Sequence, residues 1–225
     1  MTVRPVAPGA IRPVEPVARR HLRIPRAEPG LVVGLFGGSF NPPHAGHRLV
    51  AEIAVRRLGL DQLWWMVTPG NPLKDHGELA PLPERIALSE ALTHDRRIRV
   101  SAFEAAWTLN FSAETIALVQ ARNRGVRFVW VMGADSLASF HRWQNWQEIV
   151  RRLPIAVIDR PGSTLSFLSA KLAKTFGNAR VDEEDAGALA RMRPPAWTFI
   201  HGPRSSLSST ELRRTRSGRA GHSEA

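Results

Sequence analysis

From residue 31 to residue 200 the sequence alternates between short apolar runs and longer segments in which apolar residues recur at helical spacing. Short, wholly apolar runs are typical of strands buried on both faces, as in a parallel sheet that helices cover on each side. The alternation therefore predicts an α/β fold with a mostly parallel sheet and helices on both faces. The predicted strands are 31–36, 63–68, 98–102, 126–132, 155–158 and 197–200, and the predicted helices are 44–58, 83–93, 112–123 and 208–215.

In such a fold the loops after the strands meet at one edge of the sheet, because crossovers between parallel strands are right-handed. Ligands bind at that edge, at the point where the order of the strands reverses. The glycine-rich and polar segments of this sequence follow predicted strands, so we expect the ligand site at this edge.

The two ends of the chain differ in composition from its centre. Residues 1–29 contain six prolines and show no sustained periodicity, which predicts a poorly ordered extension. We therefore divide the 225-residue chain into this extension, one domain at 30–216 and a flexible tail at 217–225. Of the net charge of +11, residues 1–30 carry +4 and residues 203–225 carry +3. Such basic ends suit a solvated tail, or contact with nucleic acid or membrane phosphates.

Cysteine is absent, which excludes disulfides, thiolate metal sites and a cysteine nucleophile, and is compatible with a reducing cytoplasm. No stretch reaches the ~20 apolar residues that a membrane helix needs. The N-terminus also has no apolar core of signal-peptide length. The sequence therefore predicts a cytoplasmic protein without a membrane partner.

The most specific segment is the loop between the first predicted strand and helix, GGSFNPPHAGH at residues 37–47. Gly37 and Gly38 let the backbone approach a ligand closely, since neither carries a Cβ atom. N–H groups at the start of the following helix favour an anion, to which the helix dipole adds ~0.3–1 kcal/mol. His44 and His47 face one side of the first turn, where two imidazoles can donate hydrogen bonds to phosphate oxygens.

A plain turn with surface histidines, or half of a metal site, is the alternative interpretation of this loop. No carboxylate or third histidine lies at metal spacing nearby, so we predict no metal held by the protein itself. The complete string is much more specific than its glycines alone.

The complete string resembles the phosphate-binding H-x-G-H signature of the nucleotidyltransferase superfamily, in the form found in bacterial nicotinate mononucleotide adenylyltransferases. The resemblance covers residues 31–216 and implies a Rossmann-like fold of the nucleotidyltransferase type. It further implies transfer of the adenylyl group of ATP to nicotinate mononucleotide. The products would be nicotinate adenine dinucleotide and pyrophosphate, in NAD biosynthesis.

Within the loop, the resemblance assigns each residue to a substrate. Gly37, Ser39 and Phe40 would line the junction between ATP and the mononucleotide. Gly38, together with Ser39, would also face the mononucleotide. The two residues assigned to the ATP phosphates are His44 and His47.

A second phosphate-binding segment is predicted near the C-terminus, where residues 206–213 read SLSSTELR. It resembles the I-S-S-T-x-x-R motif of the family, with Leu207 in place of isoleucine. Hydroxyl and N–H groups at a helix start can bind an anion, and an arginine one turn later can reach a phosphate through two hydrogen bonds. An N-cap followed by a basic surface turn is the structural alternative. The predicted ATP contacts are Ser208, Ser209, Thr210 and Arg213, and Arg213 joins His44 and His47 as a predicted catalytic residue.

After the predicted strand 126–132, Gly133 permits a close approach to ATP and Asp135 can accept hydrogen bonds from ribose hydroxyls. Trp143 offers a flat aromatic face to a pyridine ring, although Trp143 and Trp146 at helical spacing also suit a core. The resemblance assigns Asp135 to the nucleotide and Trp143 to the nicotinate ring.

Three other segments resemble the family in part. Residues 160–162 match its R-P-G turn, whose Arg160 would reach the nucleotide, while a structural turn is the alternative for the other two positions. Ser112 stands where the family has the threonine of S-Y-T-x-x-T, and its hydroxyl could bind the pyridine carboxylate or cap the helix. Lys74 matches the lysine of the loop after the second strand, without the neighbouring histidine. Lys74 is a candidate contact for the mononucleotide phosphate, or a solvated loop lysine.

The implied reaction is an in-line attack by a phosphate oxygen of the mononucleotide on the α-phosphorus of ATP. The attacking group is already an anion at neutral pH, so no general base is required. Catalysis should come from positioning two anions and from neutralising the charge that develops between them. Mg²⁺ carried with ATP would share that task, and it needs few protein ligands because phosphates and waters fill its shell.

Other functions fit part of the sequence. Adenylyl transfer to nicotinamide mononucleotide or to pantetheine phosphate, and cytidylyl transfer, occur in the same superfamily. The R-P-G turn, the G-A-D-S segment and Trp143 argue against the last two. A basic nucleic-acid-binding protein would use the arginine-rich ends, with a steep salt dependence, but would have no use for two phosphate-loop motifs. A non-catalytic nucleotide sensor on the same fold would bind nucleotide without turnover.

Overall fold

A computed structural model describes residues 16–70, 79–107, 109, 111–159 and 169–202. These residues form one sheet of seven strands, in which every neighbouring pair is parallel. The strands are β1 (Val32–Gly38), β2 (Gln62–Val67), β3 (Ile98–Ser101), β4 (Arg127–Gly133), β5 (Ile155–Ile158), β6 (Arg180–Val181) and β7 (Trp197–Ile200). Their order across the sheet is β3-β2-β1-β4-β5-β7-β6.

The described part of the chain also contains seven α-helices. They are α1 (Ala45–Arg57), α2 (Leu82–Leu92), α3 (Phe103–Trp107), α4 (Ser112–Arg122), α5 (Ala134–Phe140), α6 (Trp146–Arg152) and α7 (Lys171–Thr175). Two 3-10 segments, Gly177–Ala179 and Glu183–Arg191, precede β7. Helices therefore link most successive strands, as the crossover between parallel strands requires.

Both faces of the sheet are buried, because successive strand side chains enter two separate hydrophobic clusters. Phe36 and Val131 belong to the cluster that includes Ile53 of α1. Leu35 and Ile116 of α4 belong to the cluster on the opposite face. Strands covered on both sides have no solvent face, which explains why their sequences are continuous apolar runs.

The predicted α/β class is confirmed, since the described sheet is parallel throughout and helices cover both of its faces. Each predicted strand coincides with an observed strand to within two residues at either end. The predicted helices 44–58, 83–93 and 112–123 correspond to α1, α2 and α4. The predicted helix 208–215 lies outside the described residues.

The elements missing from the prediction are short. The helices α3, α5, α6 and α7 have between five and seven residues, and β6 has two. Segments of this length complete at most two helical turns, so the apolar repeat that identifies a helix in a sequence does not develop.

Part of the predicted N-terminal extension, residues 16–29, packs on the domain instead of lying apart from it. The N–H group of Ala102 and the hydroxyl of Ser101 both donate to the carbonyl of His21, over 2.8 Å and 3.1 Å. The buried His21 ring bonds the Glu90 carboxylate on α2 at 2.9 Å. Because β3 is an edge strand, this segment covers backbone groups at its end that would otherwise lie open. Residues 1–15 lie outside the described residues.

A buried carboxyl group joins α3 to α4. Glu104 of α3 is 7% exposed, and its Oε1 accepts a hydrogen bond from the Thr115 hydroxyl of α4 at 2.6 Å. Burial raises the pKa of Glu104 to about 7, and the hydrogen bond from Thr115 opposes this rise. The carboxyl group therefore keeps its proton in the folded protein at pH values where the unfolded chain has lost it.

We expect this group to make the folded state less stable as the pH rises. Between the unfolded pKa of 4.5 and the folded pKa of about 7, the native state binds more protons than the unfolded state. The free energy of unfolding should therefore fall across this window, by on the order of 3 kcal/mol in total, and the loss is complete above pH 7. Glu104→Gln, whose amide oxygen can still accept from Thr115, should remove this slope.

The measurement is urea unfolding of the wild type and the variant at several pH values between 4.5 and 8. Glu28→Gln is the matched control, because Glu28 is exposed and its replacement should leave the slope unchanged. An identical pH slope in wild type and Glu104→Gln would contradict the prediction.

Candidate functional site

The order of the strands reverses at β1, in the middle of the sheet. The chain passes from β1 to β2 and β3 on one side, whereas β4 pairs with β1 on the other side. The helices that follow these two central strands, α1 and α5, pack on opposite faces of the sheet. The loop after β1 and the segment after β4 therefore flank the point of reversal at the carboxyl edge, where ligands bind in folds of this class and where the sequence predicts the ligand.

Two histidines cap the start of α1. His44 is the N-cap residue, and its Nδ1 accepts a hydrogen bond from the N–H of Gly46 at 3.1 Å. The Nδ1 of His47 accepts from the N–H of His44 at 3.2 Å. The centroids of the two rings lie 3.8 Å apart, and their planes are tilted by 31°. The reciprocal pattern is that of a capping box, with imidazoles in place of hydroxyl and carboxylate groups.

These caps fix the tautomer of both imidazoles. An Nδ1 atom that accepts a hydrogen bond carries no hydrogen, so the neutral ring carries it on Nε2. Each ring therefore has an N–H donor on the side away from the helix backbone. A second proton, on Nδ1, would break the cap, so the arrangement favours neutral histidines that donate through Nε2.

Phe40 shapes the loop from inside the core. Its φ of 45° lies in the left-handed region, and its ring is only 3% exposed. The ring packs against Trp65 and His47, with centroid distances of 4.7 Å and 5.0 Å. Left-handed backbone costs a non-glycine residue ~1–3 kcal/mol, which burial of an aromatic ring offsets. The sequence predicts that Phe40 lines the substrate junction, but its side chain is enclosed, so only its backbone can reach a ligand.

The packing within the protein leaves little space for a side chain at Gly37 or Gly38. A Cβ atom at Gly38 would lie 3.1 Å from Cζ of Phe40, which is tighter than ordinary contact. A Cβ atom at Gly37 would lie 3.3 Å from the ring of Trp130. The missing side chains therefore let two aromatic rings close under the loop, whatever ligand lies above it.

Backbone donors in this loop are left unpaired. The N–H groups of Ser39 and Phe40 have no hydrogen-bond acceptor among the described residues. Unpaired N–H groups near a helix N-terminus attract an anion. Together with the Nε2–H groups of His44 and His47, they make the edge above β1 a set of hydrogen-bond donors.

Sequence reasoning missed Arg85, a fully buried arginine in the first turn of α2. Its Nη1 donates to the carbonyl of Ser39 at 2.6 Å, directly beneath the loop. Burial lowers the pKa of Arg85 to about 10, so the guanidinium stays charged at neutral pH. In the structure Arg85 shares one buried face of the helix with Ile86 and Ser89, but Ser89 is itself polar, so no pattern in the sequence signals this burial.

The segment after β4 holds three of the predicted contacts. Gly133 ends β4 and is the N-cap residue of α5, and Asp135 is exposed in the first turn of that helix. Trp143 is half-buried and meets Trp130 perpendicularly at a centroid distance of 6.0 Å. Because Trp130 also lies against Gly37, one buried ring links Trp143 to the loop after β1.

Ser112 is the first residue of α4, and Phe111 is its N-cap. The side chain that bonds the N-cap backbone is Glu114, whose carboxylate accepts a hydrogen bond from the N–H of Phe111 at 3.4 Å. The alternative in which Ser112 serves as the N-cap is therefore wrong.

Six predicted contacts lie outside the described residues, and their placement stays a prediction. The described chain ends at Gly202, where a Cβ atom would lie 2.5 Å from Cδ1 of Ile53 on α1. The chain thus leaves the sheet in contact with the helix that His44 caps. The six residues are Lys74, Arg160, Ser208, Ser209, Thr210 and Arg213.

Within the described ranges, no three histidine, aspartate or glutamate side chains lie together in a way that could hold a metal ion. None of the helices found there has the length and apolar character that crossing a lipid bilayer requires.

The chain is also similar to known proteins. The family model described as cytidylyltransferase-like matches residues 35–215. A relative from Mesorhizobium japonicum, described as a probable nicotinate-nucleotide adenylyltransferase, is 70% identical over 87% of this chain and 100% of its own length. Relatives of the same description from Rhizobium meliloti and Brucella abortus are 67% and 68% identical. Their matches cover 84% and 82% of this chain and 100% and 95% of the relatives.

Two solved structures share the fold. Both are nicotinic acid mononucleotide adenylyltransferase from Plasmodium falciparum, one complexed with APC and one with NaAD. They match with TM-scores of 0.61 and 0.62 over 82% of this chain and 83% of theirs. The sequence identity is 15%, so this likeness concerns the fold alone.

The caps predict one tautomer for both histidines of the loop. In ¹⁵N NMR spectra of ring-labelled protein at pH 8, Nδ1 of His44 and His47 should give the signal of an unprotonated nitrogen and Nε2 that of a protonated one. His44→Ala and His47→Ala assign the signals, and the exposed His94 is the internal control, with no such fixed tautomer expected. An Nδ1–H signal from either capping histidine would contradict the geometry.

Proposed function

Because this chain belongs to the nicotinate-nucleotide adenylyltransferase family, we propose that it transfers the adenylyl group of ATP to nicotinate mononucleotide. The products are nicotinate adenine dinucleotide and pyrophosphate, and the reaction is a step of NAD biosynthesis. Its relatives at 67–70% identity are described by this activity and not by the other functions that fit part of the sequence.

The reaction needs positioning more than proton transfer. A phosphate oxygen of the mononucleotide forms a bond to the α-phosphorus of ATP, and the bond from that phosphorus to the bridging oxygen of pyrophosphate breaks. The attacking oxygen is already anionic, so no group has to remove a proton. The protein must hold two anions together and stabilise the charge that moves onto pyrophosphate.

The observation that carries this proposal is the set of donors on the loop after β1. The N–H groups of Ser39 and Phe40 have no acceptor among the described residues, and each neutral ring of His44 and His47 carries its hydrogen on Nε2. Phosphate oxygens accept hydrogen bonds from N–H groups of both kinds. We assign the two histidines to the ATP phosphates as neutral donors, because a cationic ring would have to give up its cap.

The other contacts are proposed from their place at the same edge. Gly133 and Asp135 would contact the nucleotide at the start of α5. Trp143 would offer the accessible part of its ring to the pyridine, and the Ser112 hydroxyl would meet the pyridine carboxylate. Of the loop glycines, Gly38 would face the mononucleotide through its backbone.

The remaining phosphate contacts are proposed on residues beyond the described ranges. Ser208 follows Gly202 by six residues, a length of chain that spans at most roughly 20 Å. Gly202 packs on α1, the helix that His44 caps, and we propose that the second phosphate motif joins the same edge of the sheet. The proposed contacts in this group are Lys74, Arg160, Ser208, Ser209, Thr210 and Arg213.

The divalent cation belongs to the substrate in this proposal. Mg²⁺ bound to the triphosphate takes its ligands from phosphate oxygens and water, and so requires no cluster of protein carboxylates. It would offset charge on the triphosphate while the loop donors orient it. The chain contains no cysteine, which suits the cytoplasm as the compartment we propose.

The test is pyrophosphate release from MgATP with nicotinate mononucleotide or nicotinamide mononucleotide as the second substrate. We expect a higher kcat/KM with nicotinate mononucleotide. Its pyridine ring carries a carboxylate where nicotinamide mononucleotide carries an amide, and the proposed contact of Ser112 is to that carboxylate. Equal or greater efficiency with the amide would overturn the substrate, and no release with either would overturn the activity.

A variant pair connects this turnover to the loop. His47→Ala should lower kcat by about 10²–10³, the usual effect of removing one donor to developing charge. His94→Ala replaces an exposed histidine away from the loop and should keep the wild-type rate. If folded His47→Ala turned over as fast as the control, His47 would have no catalytic role.

A further inference from the structure

Arg85 uses four hydrogen bonds to hold backbone carbonyls. Nη1 donates to the carbonyls of Ser39 at 2.6 Å and Thr68 at 2.8 Å. Nη2 donates to Pro69 at 3.3 Å, and Nε donates to Ala80 at 2.9 Å. Four of the donors of a single guanidinium group are thus used on main chain alone.

These carbonyls come from two different loops. Ser39 belongs to the loop after β1, which carries the phosphate donors. Thr68 and Pro69 follow β2, and Ala80 precedes α2. The Ala80 N–H also donates to Oδ1 of Asn41, at 3.1 Å, and adds a second link between the same two loops. Arg85 therefore sets the position of one loop relative to the other.

The charge of Arg85 has no carboxylate partner among the described residues. A buried cation without a counter-ion is costly, and four carbonyl dipoles compensate it only in part. An anion bound above the loop would lower that cost. The guanidinium of Arg85 is thus a fixed positive charge beneath the loop at which the phosphates are proposed to bind.

The hydrogen bond to Ser39 also fixes the direction of a donor. In a trans peptide the C=O and N–H groups point to opposite sides. With the carbonyl of Ser39 turned toward the guanidinium, the N–H of Phe40 must point away from it, toward the outer side of the loop. This N–H has no acceptor among the described residues.

We propose that Arg85 is a positioning residue for the adenylyl transfer, which aligns the N–H of Phe40 with a phosphate of ATP by holding the carbonyl of Ser39 from below. The role rests on the proposed function for its reaction, although the alignment itself concerns only nucleotide binding. Arg85 touches no substrate and acts through the peptide group between Ser39 and Phe40.

Two variants separate charge from alignment. Arg85→Lys keeps the positive charge, but its ammonium group is a single point and cannot span carbonyls from two loops. Arg85→Met removes both charge and hydrogen bonds. The control is Arg96→Met, which replaces an exposed arginine and should behave as the wild type.

We expect folded Arg85→Lys to lose about tenfold to a hundredfold in kcat, since small misplacements of a donor have effects of this size. The KM for the mononucleotide should change less than threefold. Arg85→Met should lose at least as much kcat and should also raise the KM for ATP. Wild-type kcat in Arg85→Lys, or a loss explained entirely by a smaller folded fraction, would overturn the proposal.

A second readout does not depend on turnover. Addition of α,β-methylene ATP to wild-type protein should shift the ¹H–¹⁵N amide signal of Phe40, and the shift should be much smaller in Arg85→Lys at saturation. If the wild type released no pyrophosphate but showed this difference, the proposed reaction would fail and the positioning role would stand. An equal shift in both proteins would overturn the role, even if Arg85→Met failed to fold.

Discussion

In the loop after β1, several inward-facing polar groups are hydrogen-bonded within the protein, whereas the N–H groups of Ser39 and Phe40 have no acceptor among the described residues. Backbone N–H groups at the start of α1 are taken by the Nδ1 atoms of His44 and His47, and the carbonyl of Ser39 is taken by Arg85. The same two caps leave the hydrogen of each neutral ring on Nε2. Everything proposed for this chain depends on these donors, because N–H groups near a helix N-terminus favour an anion.

The fold was predictable from the sequence because its signals are local and repeated, whereas the position of the site stays a prediction that follows from the fold. Apolar runs such as 126–132 identify buried strands of a parallel sheet, and the rule of strand-order reversal then places the ligand at the edge above β1. The spacing of His44 and His47 was enough to put both rings on the first turn of α1. Their tautomers were not predictable, since these follow from hydrogen bonds to individual backbone atoms.

The features that sequence reasoning missed depend on contacts between distant parts of the chain. Arg85 resembles any surface arginine until the carbonyls of Ser39 and Ala80 are seen around it. The segment around His21 shows no periodicity in the sequence. It is held at a sheet edge by hydrogen bonds that Ser101 and Ala102 donate to the carbonyl of His21. In these cases the stabilising partner lies far away in sequence, where neither spacing nor composition gives a signal.

The most direct test of this account is a crystal structure of the protein with α,β-methylene ATP. The account predicts phosphate oxygens about 2.7–3.2 Å from the backbone nitrogen of Phe40 and from Nε2 of His44 and His47. It also predicts that the hydrogen bonds from Arg85 to Ser39 and from Gly46 to His44 remain in place. A nucleotide bound elsewhere, with these three donors still lacking a phosphate, would contradict it.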